Sequence, residues 1–259
     1  MKLTFLGTCG GRYATGLQTR QTGGIVLETE ETQIHIDPGP GALVHSHSTL
    51  KEPLETETAI VSHGHPDHYS DAEAIIEMMV EASDKPGALF APESVLSGYG
   101  EIEKSVSDHH QDLCMTVKQL EDGSSFEFKD LKIESQEMFH SDPKTQGFKI
   151  SDGEKTFGFW TDTEYSEELV EFYQGCDTLV VYCTRPKGRG VRSHTGISDV
   201  PEIAEETGVD NIILTHFGQA LLNSDMEEQK EWLKEETEAK VTFAEDGMEY
   251  PGNRSLGDF

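Results

Sequence analysis

The stretch Ser62-His63-Gly64-His65-Pro66-Asp67-His68-Tyr69 puts three imidazoles and a carboxylate within the six positions from His63 to His68. It follows an apolar run with strand character, Thr58-Ala59-Ile60-Val61, and precedes a helix-like stretch over residues 72–80. The cluster is therefore expected on the loop at the end of a strand, where scaffolds present functional groups. Histidine is the commonest ligand for borderline metal ions, and a carboxylate beside it completes a set suited to zinc. The blander reading is a solvated polar loop. With 11 histidines in 259 residues, chance is a poor account of three falling here.

Spacing carries more than the count. His63 and His65, two apart, can converge on one ion, whereas Asp67 and His68 point elsewhere and can serve a second. One loop thus nucleates two cation sites about 3.5–4 Å apart, as bridged two-metal hydrolases require. Two sites need more ligands than this loop holds. Four downstream places carry a histidine or aspartate on a strand-like run or loop: 131–139 before His140, 156–161 before Asp162, the loop 191–196 around His194, and 211–215 before His216. Groups at strand ends are held by rigid elements, as a preorganised site requires. Singly, each reads as a structural residue; in this order, after the histidine cluster, they read as a set.

This arrangement resembles the metallo-β-lactamase superfamily over nearly the whole chain. The matching signals are Asp37-Pro38-Gly39 after an early strand, the His-x-His-x-Asp-His loop, His140, Thr161-Asp162-Thr163 and Leu214-Thr215-His216-Phe217. The resemblance implies an α/β fold, the four-layer αβ/βα sandwich of two mixed sheets with helices on the outer faces, as a single domain over 1–259. It implies one zinc on His63, His65 and His140, and another on Asp67, His68 and His216, with Asp162 bridging. Manganese or iron can occupy the same ligands. His65 stands where the oxygen-reducing diiron branch usually has Glu, which favours hydrolysis. Asp162 stands where true β-lactamases usually lack Asp, which speaks against a dedicated β-lactamase.

The segment Ser193-His194-Thr195-Gly196-Ile197-Ser198-Asp199, the opening Phe5-Leu6-Gly7-Thr8-Cys9-Gly10-Gly11 and the Arg20…Gly23-Gly24 region resemble the ribonuclease Z and cyclic-phosphodiesterase branch. That likeness implies phosphodiester cleavage by a metal-bridging hydroxide. Asp67 would ligate and hydrogen-bond this hydroxide, and His194 would face the scissile group and protonate the leaving oxygen. Two departures weigh against transfer-RNA 3′ processing. The stretch Tyr182-Cys183-Thr184 lacks the Glu usual in that branch, and no long glycine- and proline-rich arm is evident. The same ligands would serve hydrolysis of a thioester, lactone or β-lactam. A metal-bearing nucleic-acid-binding or scaffold protein is the non-enzymatic alternative, disfavoured because no ligand position is missing.

Length allows one large domain with a real core. No 18-residue apolar stretch suggests a membrane span, and the opening residues lack the apolar segment of a signal peptide. Cys9, Cys114, Cys176 and Cys183 show no CxxC spacing, which suits a reduced cytoplasmic protein. Strands before the histidine loop and after about Gly87 read as two similar halves, with helices near 167–173, 198–206 and 225–236. The pair His45/His47 reads as a rim loop, His109-His110 as a lid or subunit contact, and His35 as structural.

Against 49 acidic residues stand only 20 basic ones, a net charge of −29. Residues 1–27 nevertheless hold Lys2, Arg12 and Arg20 without an acid, and Arg185, Lys187, Arg189 and Arg192 crowd one segment just before His194. Such a loop suits an anionic group of a small molecule or RNA substrate. It reads equally as a solvated loop or an oligomer contact, and a homodimer is what the family resemblance implies. The acidic surface repels itself unless salt screens it, which points to a high-salt cytoplasm. The melting temperature is therefore expected to rise from low salt to molar KCl; thermal scans in the two buffers check this, and an unchanged value removes the idea.

Overall fold

The computed structural model describes residues 1–81, 87–190 and 192–252. Among them the strands are β1 (Lys2–Phe5), β2 (Ile25–Glu28), β3 (Gln33–Ile36), β4 (Thr58–Ile60), β5 (Ala88–Pro92), β6 (Thr116–Leu120), β7 (Ser125–Phe128) and β8 (Leu131–Glu137). There follow β9 (Gln146–Ser151), β10 (Thr156–Trp160), β11 (Thr178–Arg185), β12 (Thr195–Gly196), β13 (Asn211–Thr215), β14 (Lys240–Phe243) and β15 (Glu249–Tyr250). The helices are α1 (Arg12–Leu17), α2 (Ala42–Ser48), α3 (Pro66–Tyr69), α4 (Ala72–Glu81), α5 (Glu93–Leu96), α6 (Asp108–Leu113), α7 (Glu167–Tyr173), α8 (Val200–Thr207), α9 (Gln219–Leu222) and α10 (Met226–Glu236).

The chain forms two compact units, one from Met1–Thr8, Arg20–Glu121 and the chain from Glu245, the other from Cys9–Thr19 and Asp122–Ala244. The first carries a sheet in the order β15-β1-β2-β3-β4-β5-β6, antiparallel from β15 to β3 and parallel from β3 to β6. The second carries β14-β13-β11-β10-β9-β8-β7, parallel from β14 to β10 and antiparallel from β10 to β7, with β12 alongside β11. Two mixed sheets with helices are thus present. A division into halves near Gly87 is not. Helix α4 makes a crossover that returns β5 parallel to β4, and β5 and β6 therefore join the first sheet, as does β15.

Burial explains these elements. All five residues of β5 and seven of the eight in β11 are buried, the near-continuous apolar pattern of strands covered on both faces. Strand β8 instead alternates buried and more exposed positions, with one face toward the core. Helix α4 buries Ala72, Ile75, Ile76 and Met79, one face at helical spacing, and packs with Ala59, Val61, Leu89 and Ala91. Helix α8 buries Val200, Ile203, Ala204 and Thr207 and ends on Gly208, whose φ of 68° suits glycine. It packs with Trp160, Leu179, Val181 and Leu214.

Several expectations about histidines are revised. His45 and His47 lie within α2, not on a loop, because Asp71 Oδ2 accepts the Gly41 and Leu43 N–H groups and so caps that helix. His110, on α6, is tied to α4: Nε2 lies 3.1 Å from Glu77 Oε1, and Nδ1 lies 2.7 Å from Ser107 Oγ. Among the described residues no helix is long and apolar enough to cross a membrane. All four cysteines are buried and unbridged.

Topology places the chemistry. Strands β3 and β4 are parallel, with Ile36 opposite Ile60, so their carboxyl ends deliver Asp37 and Ser62 side by side. In the second unit β8, β10, β11 and β13 all run the same way, and the residues after them gather at one sheet edge. Open α/β sheets use this edge for ligands.

His35 is structural, as expected. It is fully buried on β3, with Nε2 3.0 Å from the Gly23 carbonyl. Burial pulls its pKa down to about 4 against the opposing Gly23 hydrogen bond and Asp37 charge. The unfolded chain, with a pKa near 6.5, therefore takes up this proton first as pH falls. Stability is unaffected above about pH 6.5 and is lost between there and about pH 4, by about 3 kcal/mol. Urea unfolding of chelator-treated protein should show wild type losing that much more than His35→Gln between pH 7 and pH 4.

Candidate metal centre

In the first unit the loop after β4 is built around one carboxylate. Asp37 Oδ1 accepts the Ser62 N–H at 2.7 Å, and Oδ2 accepts the Ser62 hydroxyl at 2.9 Å. The Ser62 proton is therefore committed, so Ser62 Oγ accepts from His63 Nδ1 at 3.0 Å. Asp37 Oδ2 also accepts from His68 Nδ1 at 2.9 Å. Both rings thus offer Nε2 outward. His63 Nε2 faces His65 Nδ1 at 2.9 Å, and His68 Nε2 lies 3.6 Å from Asp67 Oδ2. The His63 ring lies close to both of the others, with centroids 4.5 Å from His65 and 4.1 Å from His68. His63 and His68 are buried, and Gly39 makes room for the Asp67 carbonyl, which a Cβ there would strike.

In the second unit, His140 Nδ1 donates to the Ser193 carbonyl at 2.7 Å, and its Nε2 lies 3.4 Å from Ser141 Oγ. Ser193 has a φ of 63°, and its N–H is held by Glu164 Oε2 at 3.2 Å. The His194 ring stands edge-on to His140 with centroids 4.9 Å apart, and its Nδ1 donates to the Arg192 carbonyl at 3.1 Å. Ligand atoms of His140, Asp162 and His194 lie within 4.8 Å of one another. Buried His216 turns Nδ1 to within 3.3 Å of Asp162 Oδ1 and stacks on Tyr182 with centroids 5.1 Å apart. Its ring rests against Gly10, where a Cβ would collide with it. Of the basic segment, Lys187 lies 4.5 Å over the Trp232 ring, Arg189 and Arg192 are exposed, and Val191 is outside the described residues.

Residues 32–217 match the Beta-lactamase superfamily domain. The chain belongs to this superfamily. It is 33% identical to an uncharacterised protein of Methanocaldococcus jannaschii over 251 residues, 96% of this chain and 94% of that one. The metallo-beta-lactamase fold protein YhfI of Bacillus subtilis superposes with a TM-score of 0.80 at 18% identity, covering 97% of this chain and 99% of that one. The short form of human tRNase Z does so with a TM-score of 0.70 at 18% identity, covering 96% and 98%. The metallo-β-lactamase fold expected from the ligand pattern is therefore the fold of this chain. Proteins of this fold are in general metal-dependent hydrolases, and the fold implies divalent-metal binding.

The side chains suit that superfamily's cations. Imidazole nitrogens and buried carboxylates form a hard-to-borderline donor set. His63, His68 and His140 each have the ring nitrogen not offered as ligand tied to a serine hydroxyl, a carboxylate or a carbonyl, the outer-shell pattern of metal-binding histidines. Two anchors, Asp37 and Ser62, were not among the residues singled out as ligands or catalysts. Asp37 was signalled by the Asp-Pro-Gly motif, and Ser62 by its place at the head of the histidine stretch. Replacing Asp37 by Asn should weaken zinc binding by about 10- to 100-fold while leaving every ligand in place. Competition against a chromogenic chelator measures it.

Proposed function

We propose that this superfamily member is a binuclear zinc-dependent hydrolase of phosphodiester bonds, acting in the cytoplasm as one catalytic domain. The observation that carries the reading is the mutual approach of His63 Nε2 and His65 Nδ1. Two ring nitrogens facing one point, one ring braced from behind by Ser62 and Asp37, are arranged as a chelate. The reading joins His63 and His65 with His140, and Asp67 and His68 with His216, and gives Asp162 to both. Manganese or iron in place of zinc would use the same atoms.

Bound there, the two cations would supply the Lewis acidity that ionises water near neutral pH and neutralises charge on the substrate oxygens. The rest falls to the chain. Asp67 orients the attacking water as well as serving as a ligand. His194, with Nδ1 committed to Arg192, has Nε2 for proton transfer to the leaving oxygen. Arg185, Arg189 and Arg192 favour an anionic small molecule or an RNA segment; Lys187, drawn to Trp232, contributes less. The name of tRNase Z among the structural neighbours leans the same way. The net charge of −29 disfavours a long polyanion unless salt or these local cations offset it. A homodimer is part of the proposal, as is a high-salt cytoplasm.

Metal analysis of the purified protein should find about two zinc-like ions per chain, and fewer than about one would remove the reading. Hydrolysis of bis-p-nitrophenyl phosphate or short RNA, run beside a thioester, a lactone and a chromogenic lactam at several ionic strengths, assigns the bond. On the substrate turned over, His194→Ala should lower turnover about 10²- to 10⁴-fold with metal content retained.

A further inference from the structure

Behind the second unit's histidines runs a chain of hydroxyl bonds. Trp160, Thr163 and Thr195 are each fully buried. Trp160 Nε1 donates to Thr195 Oγ1 at 3.0 Å, and Thr195 Oγ1 donates to the Thr163 carbonyl at 2.9 Å. These directions are forced, because an indole N–H only donates and a carbonyl only accepts. Thr163 Oγ1 accepts the Phe139 N–H at 2.9 Å and donates to the Glu164 carbonyl at 2.8 Å. Two hydroxyls therefore join three separate segments, and each joint adjoins a candidate site residue. Phe139 precedes His140, Thr163 follows Asp162, and Thr195 follows His194.

The geometry points to Thr163 and Thr195 as positioning residues that set the spacing of His140, Asp162 and His194 through this relay. The assignment rests on the metal-hydrolase reading. Packing alone does not require hydroxyls here, since valine has nearly the same volume. Valine at 195 would leave the Trp160 N–H buried without its acceptor and free the 194–195 segment from the Asp162 turn. A small shift there separates groups whose ligand atoms now lie within 4.8 Å. Sites of this kind lose function when the supporting shell loosens.

Thr195→Val and Thr163→Val test it, with Thr195→Ser and Thr163→Ser as conservative partners. Thr207→Val is the control, since the Thr207 hydroxyl bonds within α8, to the Ile203 carbonyl. Zinc affinity is read by chelator competition, kcat and KM on bis-p-nitrophenyl phosphate or whichever substrate is turned over, and melting temperature alongside. The valine variants should lose about 10- to 100-fold in zinc affinity or kcat, with KM nearly unchanged, and the serine variants should recover most of it. Thr207→Val should lower the melting temperature alone. If Thr195→Val does not fold, Thr195→Ala carries the same expectation. Wild-type zinc binding and kcat in the valine variants would overturn the inference, as would equal impairment of valine and serine variants. Wild-type protein that binds no zinc would overturn the metal reading and this inference together.

Discussion

One buried carboxylate organises the ligand loop. Asp37 receives the Ser62 N–H, the Ser62 hydroxyl and His68 Nδ1, and its own N–H is held by the Ile60 carbonyl at 2.8 Å. A carboxylate this deep would be costly without donors; with them it becomes a rigid post. Through Ser62 it fixes His63, and directly it fixes His68, so two rings share one brace. Negative charge behind an imidazole also raises the basicity of the opposite nitrogen. Its backbone takes a left-handed φ of 50°, an uncommon conformation outside glycine, held by the flanking strand pairing. The two glycine neighbours of site residues follow the same logic of close approach, Gly39 under the Asp67 carbonyl and Gly10 under the His216 ring.

Much of this was legible from residue order. Helix α7 covers the expected 167–173, and β10 differs from its expected span only at Thr161. Apolar periodicity and clear turn residues mark both. The candidate ligands were legible because each closes a strand-like run, and parallel strands bring such ends to one edge. Other features left little local trace. That β5, β6 and β15 share the first sheet depends on pairing between distant segments, which no window of sequence reveals. The short helix α2 is decided by Asp71, 30 positions from Gly41, whose carboxylate supplies the cap. The brace at Asp37 escapes notice for a related reason: an outer-shell group needs no spacing relative to the ligand it supports, only proximity in the fold.

Charge is apportioned with similar economy. Lys2 and Lys51 meet at Glu249, at 2.6 and 3.2 Å, and Lys51 also reaches Glu28 at 2.6 Å. Lys51 and Glu249 are buried, so this cluster holds the last strand against the first sheet. The exposed pairs Lys230–Glu227 and Lys234–Glu231 on α10 contribute little by comparison. Arg189 and Arg192 are exposed in the segment that precedes His194.

The return of the chain to its beginning has a consequence for biosynthesis. Strand β15 pairs with β1, and Asp246 accepts from the Thr8 N–H, the Thr8 hydroxyl and the Gln21 N–H. A ribosome delivers Asp246 only after all residues of the second unit have been made. The unit that starts first is therefore the one completed last, and its edge strand β1 must wait, half-paired, while more than two hundred residues are translated. Closure over so long a separation is slow and leaves that edge open to wrong partners in the interval.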